Sequence, residues 1–124
     1  MKMKGITNLK EDNDSLNYDN IYYKLNTNII GKKILHFETI ESTNNYAKKI
    51  ALEELDGTVI ISEEQTKGRG RVGKQWYSKS GEGIWMSIIL KPDIIPQKAP
   101  FITLIAGAST VKALNKLGVE TFIK

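Results

Sequence analysis

The stretch of residues 66–77, TKGRGRVGKQWY, constrains the fold more than any other part of this sequence. Its glycines allow the backbone to turn tightly and to approach a bound group closely. Backbone N–H groups and the interleaved cations can together surround a phosphate or a carboxylate. The residues concerned are Gly68, Gly70, Gly73, Arg69, Arg71 and Lys74. Because apolar, strand-like segments flank the stretch, it predicts an anion-binding loop carried by a folded domain.

Positive charge is concentrated around this loop. Residues 1–66 carry 8 Lys and 11 Asp or Glu, a net charge of −3, whereas residues 67–124 carry 10 Lys or Arg and 3 acids, a net charge of +7. Five of these cations lie between Lys67 and Lys79, with no acid among them. The resulting positive potential favours an anionic ligand. A solvated basic loop without a ligand is the simpler alternative.

Composition excludes several kinds of chemistry. The 124-residue chain has no cysteine, which excludes disulfides and thiolate chemistry. Its single histidine, His36, argues against a histidine metal cluster or a serine–histidine relay and is interpreted as a half-buried strand residue. No apolar run approaches the ~18 residues of a membrane span, and the N-terminus lacks the apolar core of a signal peptide. We therefore expect a cytoplasmic protein without a membrane partner.

Hydrophobic periodicity predicts alternating helices and strands. The predicted helices cover residues 15–25, residues 42–55 with Ser42 or Thr43 as N-cap and Asp56-Gly57 as the end, and residues 100–117 with Gly118 as C-cap. The predicted strands cover residues 33–37, 58–62 and 83–91, and another begins within residues 119–123. This order predicts an α/β or α+β fold with a mixed sheet and flanking helices. Residues 1–16 are expected to form a polar leader and residues 17–124 a partial domain, incomplete at the C-terminus.

Two polar segments can converge on the glycine loop. Ser42, Thr43 and Asn44 lie at a helix start, where free N–H groups and the positive end of the helix dipole favour an acceptor. Gln65 follows a buried strand and directly precedes the loop. Ordinary capping and surface exposure are the alternatives for these residues. The loop is neither a Walker loop nor a dinucleotide fingerprint, because the Gly-Lys-Ser/Thr ending is absent and no helical pattern follows Gly73.

Together these segments resemble the catalytic domain of biotin protein ligases. The resemblance rests on residues 41–44 (ESTN), 64–76 (EQTKGRGRVGKQW) and 83–87 (GIWMS), in that order and spacing. It covers about residues 17–124, and Lys74 stands where the family more commonly has arginine. It implies a mixed sheet with helices of the biotin synthetase type, related to class II aminoacyl-tRNA synthetases.

The resemblance also implies a function, a biotin–carrier-protein ligase that uses ATP and biotin as substrates, with Mg²⁺ assisting. Biotin would be activated as biotinyl-5′-adenylate and transferred to a lysine of a biotin carboxyl carrier protein. The implied biotin-binding residues are Ser42, Thr43, Asn44, Gln65, Arg69, Gly70, Arg71 and Lys124, of which Arg69, Arg71 and Lys124 are the implied catalytic residues. The implied adenylate loop contains Gly68, Gly73, Lys74 and Trp76. No protein ligand for a metal is implied, and full activity is not expected of these 124 residues alone.

A lipoate-type acyl ligase and a basic nucleic-acid-binding module stay open as alternatives. The lipoate ligase loop usually reads Arg-Arg-x-Ser-Gly-Gly-Gly, which this sequence lacks. Some biotin ligases repress transcription through an N-terminal helix-turn-helix, for which the roughly 16 residues before the first predicted helix are too few. DNA binding through such a helix-turn-helix is therefore not expected. The carrier protein and the oligomeric state, including a homodimer, are left open by the sequence.

Overall fold

A computed structural model describes residues 18–123, so expectations about residues 1–17 and about Lys124 lie outside the described residues. The backbone divides after Lys91 into two compact units, each of which is described by itself. The elements of the first unit are α1 (Tyr18–Lys24), β1 (Ile34–Ile40), α2 (Thr43–Ile50), β2 (Val59–Arg69), β3 (Gln75–Ser78) and β4 (Trp85–Ile88). The second unit contains one long helix, α3 (Ala99–Lys116), among its described residues.

The four strands form one mixed sheet with β2 at its centre. β1 runs parallel to β2, from Ile34 opposite Val59 to Ile40 opposite Gln65. The other side of β2 is shared by two antiparallel strands. β4 pairs with residues 59–62, and β3 pairs with residues 65–69. The mixed sheet with flanking helices predicted from the sequence is confirmed.

β2 is longer than the sequence pattern predicted. Its first four residues, the β-branched and apolar run that the pattern identified, are buried. The strand then continues to Arg69, because β3 supplies backbone partners there, with Gly68 opposite Trp76 and Arg69 opposite Gln75. The first part of the expected glycine loop is therefore strand. The chain reverses only over the short turn Arg71–Gly73.

α2 packs on one face of the sheet and forms the core with it. Ser42 is the N-cap, as predicted, and its hydroxyl accepts from the backbone N–H of Asn45 at 3.3 Å. The buried apolar residues of this core are Ala47, Ile60 and Ile89, with Leu35, Phe37, Tyr46, Ile50 and Ala51 packed around them. The predicted continuation of α2 to residue 55 is wrong. The helix ends at Ile50, Leu55 is exposed, and the chain turns toward Gly57, whose N–H donates to the carbonyl of Ile89 at 2.8 Å.

α1 contacts the opposite face of the sheet through Tyr18. The ring of Tyr18 stacks on His36 with centroids 3.6 Å apart, and its hydroxyl donates to Glu63 Oε1 at 2.5 Å. His36 is half-buried in β1, as expected. Its neighbour Phe37 makes an edge contact with Tyr46 of α2, so alternation along β1 places the two helices on opposite faces.

The second unit confirms its predicted helix and contradicts its predicted strand. Pro100 lies in the first turn of α3, and Gly118, with φ +80°, ends it. The N–H of Gly118 donates to Asn115 at 3.0 Å and that of Val119 to Leu114 at 3.1 Å, which is a Schellman ending. Residues 119–123 are not a strand, because no strand of residues 18–123 pairs with them. No helix within that described range is both long and apolar enough to cross a membrane.

Candidate functional site

The glycine loop is a tight turn joining β2 to β3. The N–H of Gly70 donates to the carbonyl of Lys74 at 2.7 Å, which closes the turn. Val72 and Gly73 have positive φ angles of 55° and 72° inside it. A concavity of about 490 Å³ lies at this turn and is lined by Lys67, Gly68, Arg69, Gly70, Gly73, Lys74 and Gln75. Three cations, Lys67, Arg69 and Lys74, therefore border a space large enough for an anionic group.

Gly68 brings the backbone of β2 directly against polar side chains. A Cβ at this position would lie 2.6 Å from the carbonyl oxygen of Trp76 and 2.7 Å from Oγ of Ser78. It would also lie 3.3 Å from Nε2 of Gln65. Contacts under 3 Å cannot be accommodated without movement of the backbone, so glycine is required here by close approach.

Thr43 and Gln65, two of the residues that the sequence predicted to converge, are in direct contact. Oε1 of Gln65 accepts from the backbone N–H of Thr43 at 2.9 Å and from its hydroxyl at 3.1 Å. Thr43 is only 3% exposed. The first N–H of α2 is thus already paired with protein, and the amide of Gln65 is held at the helix N-terminus.

Two serines that sequence reasoning gave no role complete this group. Oγ of Ser87 in β4 lies 2.9 Å from Oγ1 of Thr43, and Oγ of Ser78 in β3 accepts from Nε2 of Gln65 at 3.0 Å. Ser87 shares the α2 face with buried Ile89, which directly follows β4, and a polar residue at a core-facing position was the available signal. Ser78 had no signal, because β3 itself was not predicted.

The base of the glycine loop is tied to the start of α2. The backbone N–H of Lys67 donates to the carbonyl of Glu41 at 2.7 Å, and its Nζ lies 2.6 Å from Glu41 Oε1. The hydrogen bond from Lys67, with its positive charge, lowers the pKa of the Glu41 carboxyl. Nη1 of Arg69 donates to Oδ1 of Asn45 at 3.3 Å. The asparagine that contacts the loop is therefore Asn45, whereas the predicted Asn44 is exposed.

The remaining predicted residues occupy different environments. Ser42 is 2% exposed and acts as the N-cap of α2. Capping was the alternative to ligand binding for this residue. Arg71, Lys74 and Trp76 are exposed on the turn and on β3. Lys124 lies outside the described residues. Within residues 18–123 there is no group of three or more His, Asp or Glu side chains that could together hold a metal ion.

Comparisons with known proteins identify relatives over the whole chain. The model of the biotin/lipoate A/B protein ligase family matches residues 36–124. The bifunctional ligase/repressor BirA of Bacillus subtilis is 34% identical over 126 residues, which cover 100% of this chain and 38% of that protein. The protein of the same description from Bacillus spizizenii is 36% identical over 126 residues with the same coverage. That from Escherichia coli is 31% identical over 90 residues, covering 73% of this chain and 28% of its own.

These relatives are longer than this chain. The chain spans about 38% of the length of the two Bacillus proteins. The matched region contains the sheet, α2, the glycine loop and the polar group formed by Thr43, Gln65, Ser78 and Ser87.

Proposed function

This chain belongs to the biotin/lipoate A/B protein ligase family, and we propose that it forms part of an ATP-dependent biotin protein ligase. The proposed enzyme activates biotin as biotinyl-5′-adenylate and transfers the biotinyl group to a lysine of a biotin carboxyl carrier protein. The observation that carries the proposal is the contact of Thr43 with Gln65 beside Gly68, where the cationic turn begins. A group of neutral polar side chains thus adjoins a cationic turn, which suits a ligand with an uncharged polar ring at one end and a carboxylate at the other.

In the proposed first step, a carboxylate oxygen of biotin attacks the α-phosphorus of ATP. The bond from that phosphorus to the bridging oxygen breaks, and pyrophosphate leaves. Both reactants are anions, so the site must neutralise their repulsion. Arg69 and Arg71 are the proposed catalytic residues here, because a guanidinium donates two parallel hydrogen bonds to phosphate or carboxylate oxygens. Lys74 adds a third positive charge at the same turn.

In the proposed second step, the amine of the carrier lysine attacks the carbonyl carbon of the mixed anhydride. The carbon–oxygen bond to the phosphate breaks, AMP leaves, and the amine loses a proton. Water must be kept away from the anhydride before the transfer. The glycine turn, with Trp76 next to it on β3, is proposed to cover the adenylate. The carrier protein as partner, ATP as substrate and a role for Lys124 are parts of this proposal.

The described residues do not supply a dedicated magnesium site. No cluster of three acidic or histidine side chains lies within residues 18–123. Mg²⁺ is commonly held by nucleotide phosphates with only one or two carboxylates. The residues present therefore give no argument for a protein-bound ion, and the roles of Arg69, Arg71 and Lys74 do not depend on one.

Biotin-dependent exchange between ATP and labelled pyrophosphate, measured on the complete gene product, tests the proposal. Arg69→Ala should slow the exchange by ~10- to 100-fold, from the ~1.5–3 kcal/mol of a charge-assisted hydrogen bond. Lys79→Ala is the matched control, because Lys79 is an exposed cation just after β3 that lies outside the turn. Exchange that needs no biotin would remove biotin as the substrate. Exchange unchanged in Arg69→Ala would remove Arg69 from the mechanism.

A further inference from the structure

We propose that Ser78 is a positioning residue that fixes the amide orientation of Gln65 and thereby makes the hydroxyl oxygen of Ser87 a hydrogen-bond acceptor toward the ligand. The proposal rests on the proposed function, since biotin is the ligand that tests it. It concerns a chain of hydrogen bonds that runs from β3 through β2 and α2 to β4. Each proton in this chain can be placed from the chemistry of its neighbours.

The orientation of the Gln65 amide follows from the backbone of Thr43. A backbone N–H can only donate, so the Gln65 atom 2.9 Å from the Thr43 nitrogen must be the oxygen, Oε1. The amide nitrogen of Gln65 then points to the other side. There it lies 3.0 Å from Oγ of Ser78.

Ser78 must accept this hydrogen bond, because the amide nitrogen of Gln65 has no lone pair to offer. The proton of the Ser78 hydroxyl is directed at the carbonyl oxygen of Trp76, 3.3 Å away. Ser78 is 3% exposed, so water has little access to replace it as a partner of Gln65. Loss of this hydroxyl leaves the Gln65 amide without the contact that anchors its nitrogen.

The protons of the next two hydroxyls follow from the oxygen of Gln65. Oε1 can only accept, so Thr43 uses its single hydroxyl proton in the 3.1 Å bond to it. The 2.9 Å contact between Thr43 Oγ1 and Ser87 Oγ therefore needs the proton of Ser87. With that proton used, Ser87 presents only lone pairs to any further neighbour.

The donor and acceptor roles in this series of hydrogen bonds determine which ligand group can face Ser87. That group must donate a hydrogen bond. The ureido ring of biotin carries two N–H groups, whereas the dithiolane ring of lipoate carries none. Without Ser78, the Gln65 amide can rotate away from Thr43. The hydroxyl proton of Thr43 can then turn toward Ser87, and the Ser87 oxygen is no longer held as a hydrogen-bond acceptor for the ligand.

Isothermal titration of biotin into the complete gene product tests the proposal. Ser78→Ala should raise the Kd for biotin by about 3- to 10-fold, the change that corresponds to one net hydrogen bond. In a Gln65→Ala background the same substitution should change the Kd by less than about twofold, because the amide that Ser78 holds is already gone. Ser78→Cys, which keeps the shape but accepts hydrogen bonds poorly, gives the same two comparisons if Ser78→Ala does not fold.

Ser62→Ala is the matched control. Ser62 is equally buried on the same sheet, at 2% exposed, but its hydroxyl bonds to the backbone of Glu64 in its own strand. It should bind biotin as the wild type does, even if its thermal stability falls. The positioning role of Ser78 would be overturned if loss of its hydroxyl raised the Kd for biotin equally in both backgrounds. It would also be overturned if the Kd did not rise at all. A wild-type protein that does not bind biotin would instead overturn the proposed function on which that role rests.

Discussion

Nζ of Lys67 lies 2.6 Å from a carboxylate oxygen of Glu41, and the backbone N–H of Lys67 donates to the carbonyl of the same residue. This double contact joins the part of β2 that enters the glycine turn to the segment that enters α2. Both halves of the candidate site are therefore positioned from the same point.

The pKa of Glu41 should depend on Lys67. The hydrogen bond and the charge of Lys67 lower the pKa of the carboxyl below its ordinary value of 4.5. The contribution of this pair to stability is therefore present above pH 4.5 and is lost as the pH falls through the lowered value. A titration of the Glu41 side chain by NMR should show its pKa return toward 4.5 in Lys67→Ala. Lys49→Ala, which removes a weaker charge contribution, should shift it less.

Folding stability should fall in mild acid because of His36. Burial lowers the pKa of this imidazole below 6.5, although Glu63 and Glu38 partly oppose the effect and Tyr18 stacks on the ring. The unfolded chain then binds the proton more readily, so the stability is fully present above pH 6.5 and declines below it. Urea unfolding at pH 7.5, 6 and 5 should show a shallower decline in His36→Gln. An identical decline in that variant would assign the pH dependence to other groups.

Substitution of Gly68 should be costly, in contrast to substitution of another glycine. In Gly68→Ala the new Cβ would lie 2.6 Å from the Trp76 carbonyl oxygen, and relief of this overlap should cost about 1–3 kcal/mol of unfolding free energy. The matched control is Gly107→Ala in α3, where the nearest atom would be 3.9 Å away. That change should stabilise the protein by roughly 0.4–1 kcal/mol. Denaturant unfolding of both variants measures the difference. Equal effects would show that β2 tolerates a side chain at Gly68.

Val72 should be replaceable with a gain in stability. Its φ of 55° and ψ of 44° lie in the left-handed region, and its side chain is 98% exposed, so no packing compensates the strain. This backbone conformation costs roughly 1–2 kcal/mol for an ordinary residue and is tolerated better by asparagine. Val72→Asn should therefore raise the free energy of unfolding by about 1 kcal/mol. Val72→Ile keeps the branched Cβ and should give no gain, and a comparable gain there would rule out strain as the cause.

Some features of the fold could be predicted because they depend on neighbours in sequence. Ser42 caps α2 through a hydrogen bond to Asn45, three residues away, and Gly118 ends α3 through its own positive φ. The buried run at the start of β2 was recognisable from its β-branched residues. The end of α2 was not, because Leu55 fits the helical period but is left exposed by the turn to Gly57.

The candidate site also contains features that local sequence patterns do not predict. Regular alternation counted from Ile60, which is opposite Ser87, would place Gln65 on the other face of the sheet. Yet Gln65 and Ser87 both contact the hydroxyl of Thr43. The pairing of β2 with β3 shifts register between Gln65 and Gly68, so regular alternation does not hold through this part of the strand.

The sequence by itself determined the family, the mixed sheet, the cap of α2 and the cationic glycine segment, because these follow from short-range spacing and residue type. Only the tertiary structure decided that Gly68 lies within a strand, that Asn45 contacts Arg69, and that Ser78 and Ser87 join the site. The physical reason is that the hydrogen bonds of Thr43 and Gln65 connect residues as many as 44 positions apart. Such contacts depend on strand pairing and register, which local patterns do not encode.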